Sequence, residues 1–234
     1  MRSFTLRGLT LTLPEAALKG NLERALSSGR YENHEADALL MHLRPGDRCL
    51  DLGAGLGFIC ALAAGVLGEG FVFGVEAGPE TAKLARKNLA ANGFPGVKIV
   101  RGAVVASGEG EVDFGQRPAF WASALKGRQG WPENAEVIRV PARPVGKLLE
   151  RFRPSVICCD IEGGELEVLA EPLPGVRLVV VETHPQVYGA EGVKQIAAAL
   201  VAQGFATAGG AKADTLVFAR GPEAATHVGR SASG

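Results

Sequence analysis

The sequence predicts a doubly wound α/β fold whose mostly parallel sheet closes on an antiparallel strand pair. Three observations carry this expectation. Residues 48–60 read as a short apolar strand, a turn with glycines at alternate positions, and an apolar helix that begins at once. From 71 to 101 strand and helix patterns alternate, which calls for parallel strands joined by right-handed crossovers. Residues 155–159 and 176–181 are apolar runs broken only by Ser155 and Arg177, as strands buried on both faces are.

With 234 residues, 47% of them hydrophobic, and a formal net charge of zero, the chain suits one α/β domain with a full core. Residues 1–220 are expected to form it, with 1–46 as an N-terminal strand and helix segment and 221–234, rich in Gly, Ala and Ser, as a disordered tail. Balanced charge argues against nucleic acid as partner. No apolar run reaches the roughly 18 residues of a membrane span and no signal stretch opens the chain, so no membrane partner is expected and the compartment expected is the cytoplasm. Cys49, Cys60, Cys158 and Cys159 form no C-x-x-C pair and are expected to be reduced and buried.

Residues 3–13 alternate apolar and polar after Gly8, as an edge strand or hairpin does. Pro14 and Glu15 open a helix that Gly29 closes. A second helix carries Ala36, Leu39, Leu40 and Leu43 at helical spacing and stops at residues 44–46. Tyr31, Glu32 and Glu35 sit at its start, close in sequence to the glycine turn. They are placed either to touch a cofactor or to cap their own helix.

The glycine turn itself selects a cofactor. A dinucleotide fingerprint needs G-x-G-x-x-G, and counted from Gly53 and Gly55 its third glycine is Phe58. That excludes a nicotinamide site. The pattern is instead D-x-G-x-G-x-G, with Asp51 ahead of Gly53, Gly55 and Gly57. A carboxylate there suits a ligand with a positive amino group, and the turn and helix start let backbone N–H groups approach it. S-adenosylmethionine is the cofactor expected. Glu76 ends the next strand at the usual interval of about 20 residues and supplies the acid for a ribose. Asp51, Gly53, Ala54, Gly55, Gly57, Glu76 and Ala77 are the candidate contacts, with Tyr31 and Glu32 beside them.

A helix runs from Gly78 and Pro79 to Asn92-Gly93, and a third strand covers 97–101. Residues 102–144 are expected to be an irregular insertion near the site, with strands at 111–114 and 136–140. Trp121 and Trp131 in it either contact substrate or pin the segment to the core. Val145, Leu148, Leu149 and Phe152 mark a short helix. A further helix starts near Gly164 with Glu165 in its first turn, and the last has Val193, Ile196, Ala197, Leu200 and Val201 on one face. Residues 204–208 and 215–219 form the closing antiparallel pair. The basic cluster of Arg139, Arg143, Lys147, Arg151 and Arg153 reads as a solvated face.

In an open α/β sheet, ligands bind at the carboxyl ends of the strands where strand order reverses. The residues there are Asp51 with the glycines, Glu76, Gly102 with Ala103, Asp160 with Glu162, and Glu182 with His184. Once the cofactor is placed, Asp160, Glu162 and His184 face the acceptor. In-line methyl transfer depends mainly on positioning, about 7 to 11 kcal/mol, while a base adds about 3 to 5. His184, with an unperturbed pKa near 6.5, is the expected base, and Asp160 or Glu162 its orienting partner or the alternative base. The same three residues suit a divalent metal, but nothing in their spacing requires one and none is expected.

These stretches resemble the FkbM family of S-adenosylmethionine-dependent methyltransferases from about residue 31 to 185. The resemblance runs through Arg30-Tyr31-Glu32, the 50–55 loop, Val75-Glu76-Ala77 and residues 86–93, and is strongest at Asp160-Ile161-Glu162-Gly163-Gly164-Glu165, where the family shows D-x-E-G-x-E-x-x-x-L. Val181-Glu182-Thr183-His184-Pro185 is similar to the family's later strand end. The resemblance implies the seven-strand class I methyltransferase fold and O-methylation of a hydroxylated small molecule, a sugar, polyketide or related compound. It assigns Asp51, Gly53, Gly55 and Glu76 to cofactor and Asp160, Glu162 and His184 to the site. Two departures stand out: Cys159 replaces the family's usual lysine, and Gly102-Ala103 stands where many relatives of the wider fold place an acid for adenine. Adenine is then left to backbone groups or another side chain.

Competing readings are a base-modifying N-methyltransferase, whose strand-four signature is missing at residues 160–163, an N-methyltransferase with a peptide or other acceptor, and a binding module that does not catalyse. Intact Asp160, Glu162 and His184 argue against the last.

Overall fold

The computed structural model describes residues 1–18, 20–116, 124–125 and 136–221. Arg2–Leu6 (β1) and Leu9–Leu13 (β2) form an antiparallel hairpin. Arg7 and Gly8 join them at φ 49° and 82°, the positive pair that a two-residue turn between right-twisted strands needs. The helix expected from Pro14 to Gly29 is split. A 3-10 turn, Glu15–Ala17, precedes Asn21–Ser27 (α1), because Gly20 takes φ 57° and ψ −116°, which no helix residue adopts.

The strand and helix alternation read from the sequence follows. Its elements are Asn33–His42 (α2), Cys49–Leu52 (β3), Phe58–Leu67 (α3), Val72–Glu76 (β4), Pro79–Ala91 (α4) and Lys98–Arg101 (β5). Asn88 and Asn92 of the α4 end accept the Thr12 and Thr10 backbone N–H groups at 2.9 and 2.8 Å, tying the hairpin to the domain.

Where described, residues 102–144 are not irregular. Ala103–Val105 (β6), Glu111–Gln116 (β7), Ala124–Leu125 (β8) and Glu136–Pro144 (β9) make a second sheet in the order β6-β9-β7-β8. Of the hydrophobic side chains described in β6, β7 and β9, Ala103, Val104, Phe114, Val140 and Ala142 are buried, too few and too scattered for a sustained apolar alternation in the sequence. Trp121 and Trp131, read as either substrate contacts or pins to the core, and residues 222–234 of the expected tail lie outside the described residues. The basic cluster is occupied at the surface: Arg139 pairs with Glu111 and Asp113, and Lys147 with Glu109.

Val145–Phe152 (α5), Val156–Cys159 (β10), Glu165–Val168 (α6), Leu178–Glu182 (β11), Pro185–Ala202 (α7), Ala206–Thr207 (β12) and Thr215–Ala219 (β13) complete the chain. The main sheet has seven strands in the order β12-β13-β11-β10-β3-β4-β5. Only β13 runs against its neighbours, pairing antiparallel with β11 and β12. This is the doubly wound class I methyltransferase arrangement. Gly189 at φ 72° breaks α7 near its start. Ile196 and Leu200 then form its buried face, while Val201, one step further round, is 55% exposed.

Period-two alternation divides the central strands between two cores. Cys49, Val156, Cys158, Leu178 and Val180 face α2, α3 and the hairpin, whereas Leu50, Leu52, Ile157, Cys159, Val179 and Val181 face α5 and α7. Both faces are therefore covered, and the carboxyl ends of the strands are left for a ligand. All four cysteines are buried and unbridged.

Candidate active site

Strand order reverses at β3 and β10, and a cavity of about 470 Å³ opens at their carboxyl ends. Gly53, Gly55, Glu76, Ala77, Gly102 and Ala103 line one part of it, and Tyr31, Glu32, Asp160 and Glu162 another. Three of the sequence-derived cofactor contacts are not on its wall. Ala54 and Gly57 are buried in the turn, and Asp51 lies beneath it, 3% exposed. Asp51 shares the strand face of Cys49 and so points at α3, where Cys60 Sγ donates to its Oδ2 at 3.2 Å. Burial raises its pKa to about 7.

The three glycines of the turn answer to three different neighbours. A Cβ on Gly53 would lie 1.7 Å from the Asp160 carbonyl oxygen, so the turn and the end of β10 are in contact. On Gly55 it would approach the Tyr31 hydroxyl at 3.1 Å and Glu32 Oε1 at 3.3 Å; on Gly57, Ala85 O of α4 at 3.2 Å. Gly53 and Gly55 line the cavity, and Gly57 does not. Gly102, at φ 145°, is glycine because a side chain would strike Pro141 O at 2.5 Å.

Glu76 closes the turn from the side. Its Oε2 accepts the Gly55 N–H at 2.9 Å and its Oε1 the Gly78 N–H at 2.7 Å. Burial raises its pKa to about 7 against the pull of those N–H groups. The carboxylate lines the cavity, and its oxygens are acceptors of the kind a pair of ribose hydroxyls requires.

The second part of the wall is built by the loop after β10. Glu165, with no exposed surface, folds back to accept the Ile161 N–H at 2.9 Å and the Gly163 N–H at 2.9 Å. It was read from the sequence only as a helix start. Its clamp sets Glu162 at φ 54°, which turns that side chain to the cavity. Among the described non-glycine residues at positive φ, Glu32, Glu162 and Ala213 all line this cavity. Backbone strain of this kind collects at functional sites.

His184 sits behind the wall rather than on it. Its side chain is 5% exposed, with Nε2 at 3.4 Å from Asp160 Oδ1 and 3.4 Å from Glu162 Oε2, and Nδ1 at 3.2 Å from Glu165 Oε1. Burial disfavours the charged ring, but Glu165, Glu162 and Glu182 outweigh it and raise the pKa to about 9. At neutral pH the ring therefore holds both protons. Asp160 and Glu162, not the ring, are the groups of the three that reach the cavity. Burial and the surrounding carboxylates, Glu182 first, push Asp160 well above the usual range. Glu35, Glu182 and Asp214 also line the wall. Phe114 also lines the cavity; the sequence placed it on a strand at 111–114 but did not assign it to the site.

Residues 51–206 match the methyltransferase FkbM domain. The chain belongs to the FkbM methyltransferase family. Its cofactor is S-adenosylmethionine, as the glycine turn and Glu76 anticipated. A shorter stretch of this FkbM methyltransferase is 41% identical, over 64 residues, to protein-L-isoaspartate O-methyltransferase 1 of Archaeoglobus fulgidus, covering 27% of this chain and 30% of that protein. Another is 43% identical over 63 residues to arsenite methyltransferase of Halobacterium salinarum, 26% of this chain and 16% of the relative. The matches thus span less than a third of either relative. Among solved structures, precorrin-6y C5,15-methyltransferase of Geobacter metallireducens aligns over 90% of this chain and 94% of its own, at 12% identity and a TM-score of 0.47. Among the described residues no helix is long and apolar enough to cross a membrane.

Proposed function

We propose that this FkbM methyltransferase methylates a hydroxyl of a small-molecule acceptor such as a sugar or polyketide. One observation carries the reading: a single cavity is lined both by the cofactor turn with Glu76 and by two carboxylates, Asp160 and Glu162. Bound S-adenosylmethionine supplies an electrophilic methyl group on a sulfonium. Everything else falls to the chain. Glu76 holds the ribose hydroxyls, and the apolar wall of Ala77, Ala103 and Phe114 receives the adenine in place of the missing acid. Tyr31 and Glu32 close the cavity over Gly55. Asp51, under the turn, fixes the turn's shape and acts on the cofactor's amino group only through it.

A hydroxyl attacks well only as it loses its proton, and Asp160 and Glu162 are the groups on the wall placed to take it. His184 and Glu165 hold those two carboxylates in position. The acidic lining, with Glu32, Glu35, Glu182 and Asp214, would repel a carboxylate acceptor, so isoaspartyl-type chemistry is disfavoured here. The same lining favours an amine as the second reading, an acceptor whose ammonium the acids would hold before deprotonation.

The test has two stages. Calorimetry with S-adenosylhomocysteine on the native chain and on Glu76→Ala should show micromolar binding weakened at least tenfold, about 1.4 kcal/mol, by the substitution. Radiolabelled methyl transfer to matched hydroxylated and amino acceptors then decides the class. Transfer to amines alone would overturn the hydroxyl assignment.

A further inference from the structure

The geometry points to a divalent metal ion held by Asp160, Glu162 and His184 at the acceptor end of the cavity. One ligand atom from each of the three lies within 4.8 Å of the others. The imidazole Nε2 stands 3.4 Å from Asp160 Oδ1 and 3.4 Å from Glu162 Oε2, longer than a good N–H···O bond. Ligand atoms at about 2.1 Å from a common ion are about 3.0 to 3.4 Å apart in octahedral or tetrahedral geometry. The spacing is that of atoms around an ion more than that of atoms bonded to each other.

Two observations independent of the acidity point the same way. Asp160 Oδ1 is buried and finds no hydrogen-bond partner among the described residues, although it faces the imidazole. His184, 5% exposed, has the carboxylate of the fully buried Glu165 3.2 Å behind its Nδ1, within ion-pair reach though out of line for a hydrogen bond. A carboxylate behind the distal nitrogen is the usual support of a metal-bound histidine, fixing its tautomer and orientation. An imidazole must be neutral to bind a metal, so the ion takes the place of the ring's second proton.

The donor set of two carboxylates and one imidazole suits Mn(II) or a neighbouring first-row ion. Asp160 and Glu162 both reach the cavity, so the ion's open positions face the acceptor. Two oxygens of a sugar or polyketide would bind there, and the ion would lower the pKa of the hydroxyl to be methylated, whose proton would pass to the carboxylate oxygen of Asp160 or Glu162 that does not hold the ion. That role rests on the proposed methyltransferase reading; the ion site itself does not.

Mn(II) is the probe. The full chain, stripped with a chelator, is titrated with Mn(II) and free ion is followed by electron paramagnetic resonance, without cofactor. One ion per chain is expected, with Kd below roughly 100 µM, weakened at least tenfold in Asp160→Asn and Glu162→Gln. Pulsed spectra should show coupling to one imidazole nitrogen, absent in His184→Gln. Circular dichroism and S-adenosylhomocysteine binding are recorded on every variant, so a misfolded protein is recognised as such. Millimolar affinity in the native chain, equal affinity in folded variants, or no nitrogen coupling would overturn the site. Mn(II) binding without S-adenosylhomocysteine binding would instead leave the ion site standing and remove the cofactor reading.

Discussion

Glu165 Oε1 lies 3.2 Å from His184 Nδ1, and the same carboxylate accepts the backbone N–H groups of Ile161 and Gly163. One buried acid therefore fixes both the loop that carries Asp160 and Glu162 and the ring behind them. This gives the last glutamate of the D-x-E-G-x-E run a physical meaning: it is the loop's internal clamp. Glu165→Ala would leave two backbone donors without their acceptor and the buried ring without the carboxylate beside it. A loss of about 3 to 5 kcal/mol is expected, read from urea unfolding. Glu165→Gln keeps an acceptor oxygen for the loop and should lose less than half of that. Equal losses in both would show that charge, not loop hydrogen bonding, is what the clamp supplies.

Glu76 gives the cofactor site its pH dependence. Its folded pKa of about 7 lies above the ordinary 4.5, so the free protein at pH 6 holds it mostly protonated. The fold stability this contributes is full below the ordinary value and is lost as pH rises through 7. Ribose binding needs the opposite state, the acceptor carboxylate. Affinity for S-adenosylhomocysteine should therefore rise with pH, by up to about tenfold per unit below 7, and flatten above it. Asp51 titrates in the same range, so the decisive comparison is Glu76→Gln, in which calorimetry from pH 5.5 to 8.5 should find most of the slope gone.

The parts legible in the sequence were those with a local signal. The glycine turn, Glu76, the continuous apolar strands and the family's D-x-E-G-x-E run each announce themselves within a dozen residues. The β6 to β9 sheet was legible only in part: strands were expected at 111–114 and 136–140, but the short β6 and the full length of β9 lack a hydrophobic period. Asp51 shows a second limit. Its place in the motif is readable, but which way it points depends on strand parity against α3, and that turned it from the cavity to Cys60. The surroundings of His184 were hidden for a third reason. A histidine's state is set by neighbours distant in sequence, here Glu165 and Glu162 on the adjacent strand's loop.

Gly53 and Gly55 look alike in the motif but should respond differently to alanine. At Gly53 the added carbon would overlap Asp160 O at 1.7 Å, with φ at 91°. Neither backbone can yield without parting β3 from β10. Gly53→Ala is expected to lose more than about 3 kcal/mol or fail to fold. At Gly55 the nearest atoms are side-chain ends of Tyr31 and Glu32 at 3.1 and 3.3 Å, which can shift. Gly55→Ala should lose about 1 to 2 kcal/mol of stability, for its positive φ, while weakening S-adenosylhomocysteine binding several-fold. Paired denaturation and calorimetry check both, and a Gly55→Ala protein with native affinity would place the cofactor away from this face.

The far end of the sheet should govern acid stability. Asp47, 6% exposed, accepts Arg177 Nε at 2.9 Å, the Ser155 hydroxyl at 2.7 Å and the Arg44 N–H at 2.8 Å, with a second Arg177 nitrogen also bound. Burial would raise its pKa, but Arg177 and Ser155 hold it below the ordinary 3.8. A carboxyl depressed on folding stabilises the native state at every pH above its unfolded value. That stabilisation is lost as pH falls through the folded pKa. Asp47→Asn removes the titrating group while keeping the shape, so its stability should be lower than native at pH 7 and converge with native near pH 2. Asp47→Ala, which also strands Arg177, should lose about 3 kcal/mol or more at pH 7. Urea midpoints measured from pH 2 to 7 decide the matter, since a native-like acid slope in Asp47→Asn would assign acid unfolding to another carboxylate.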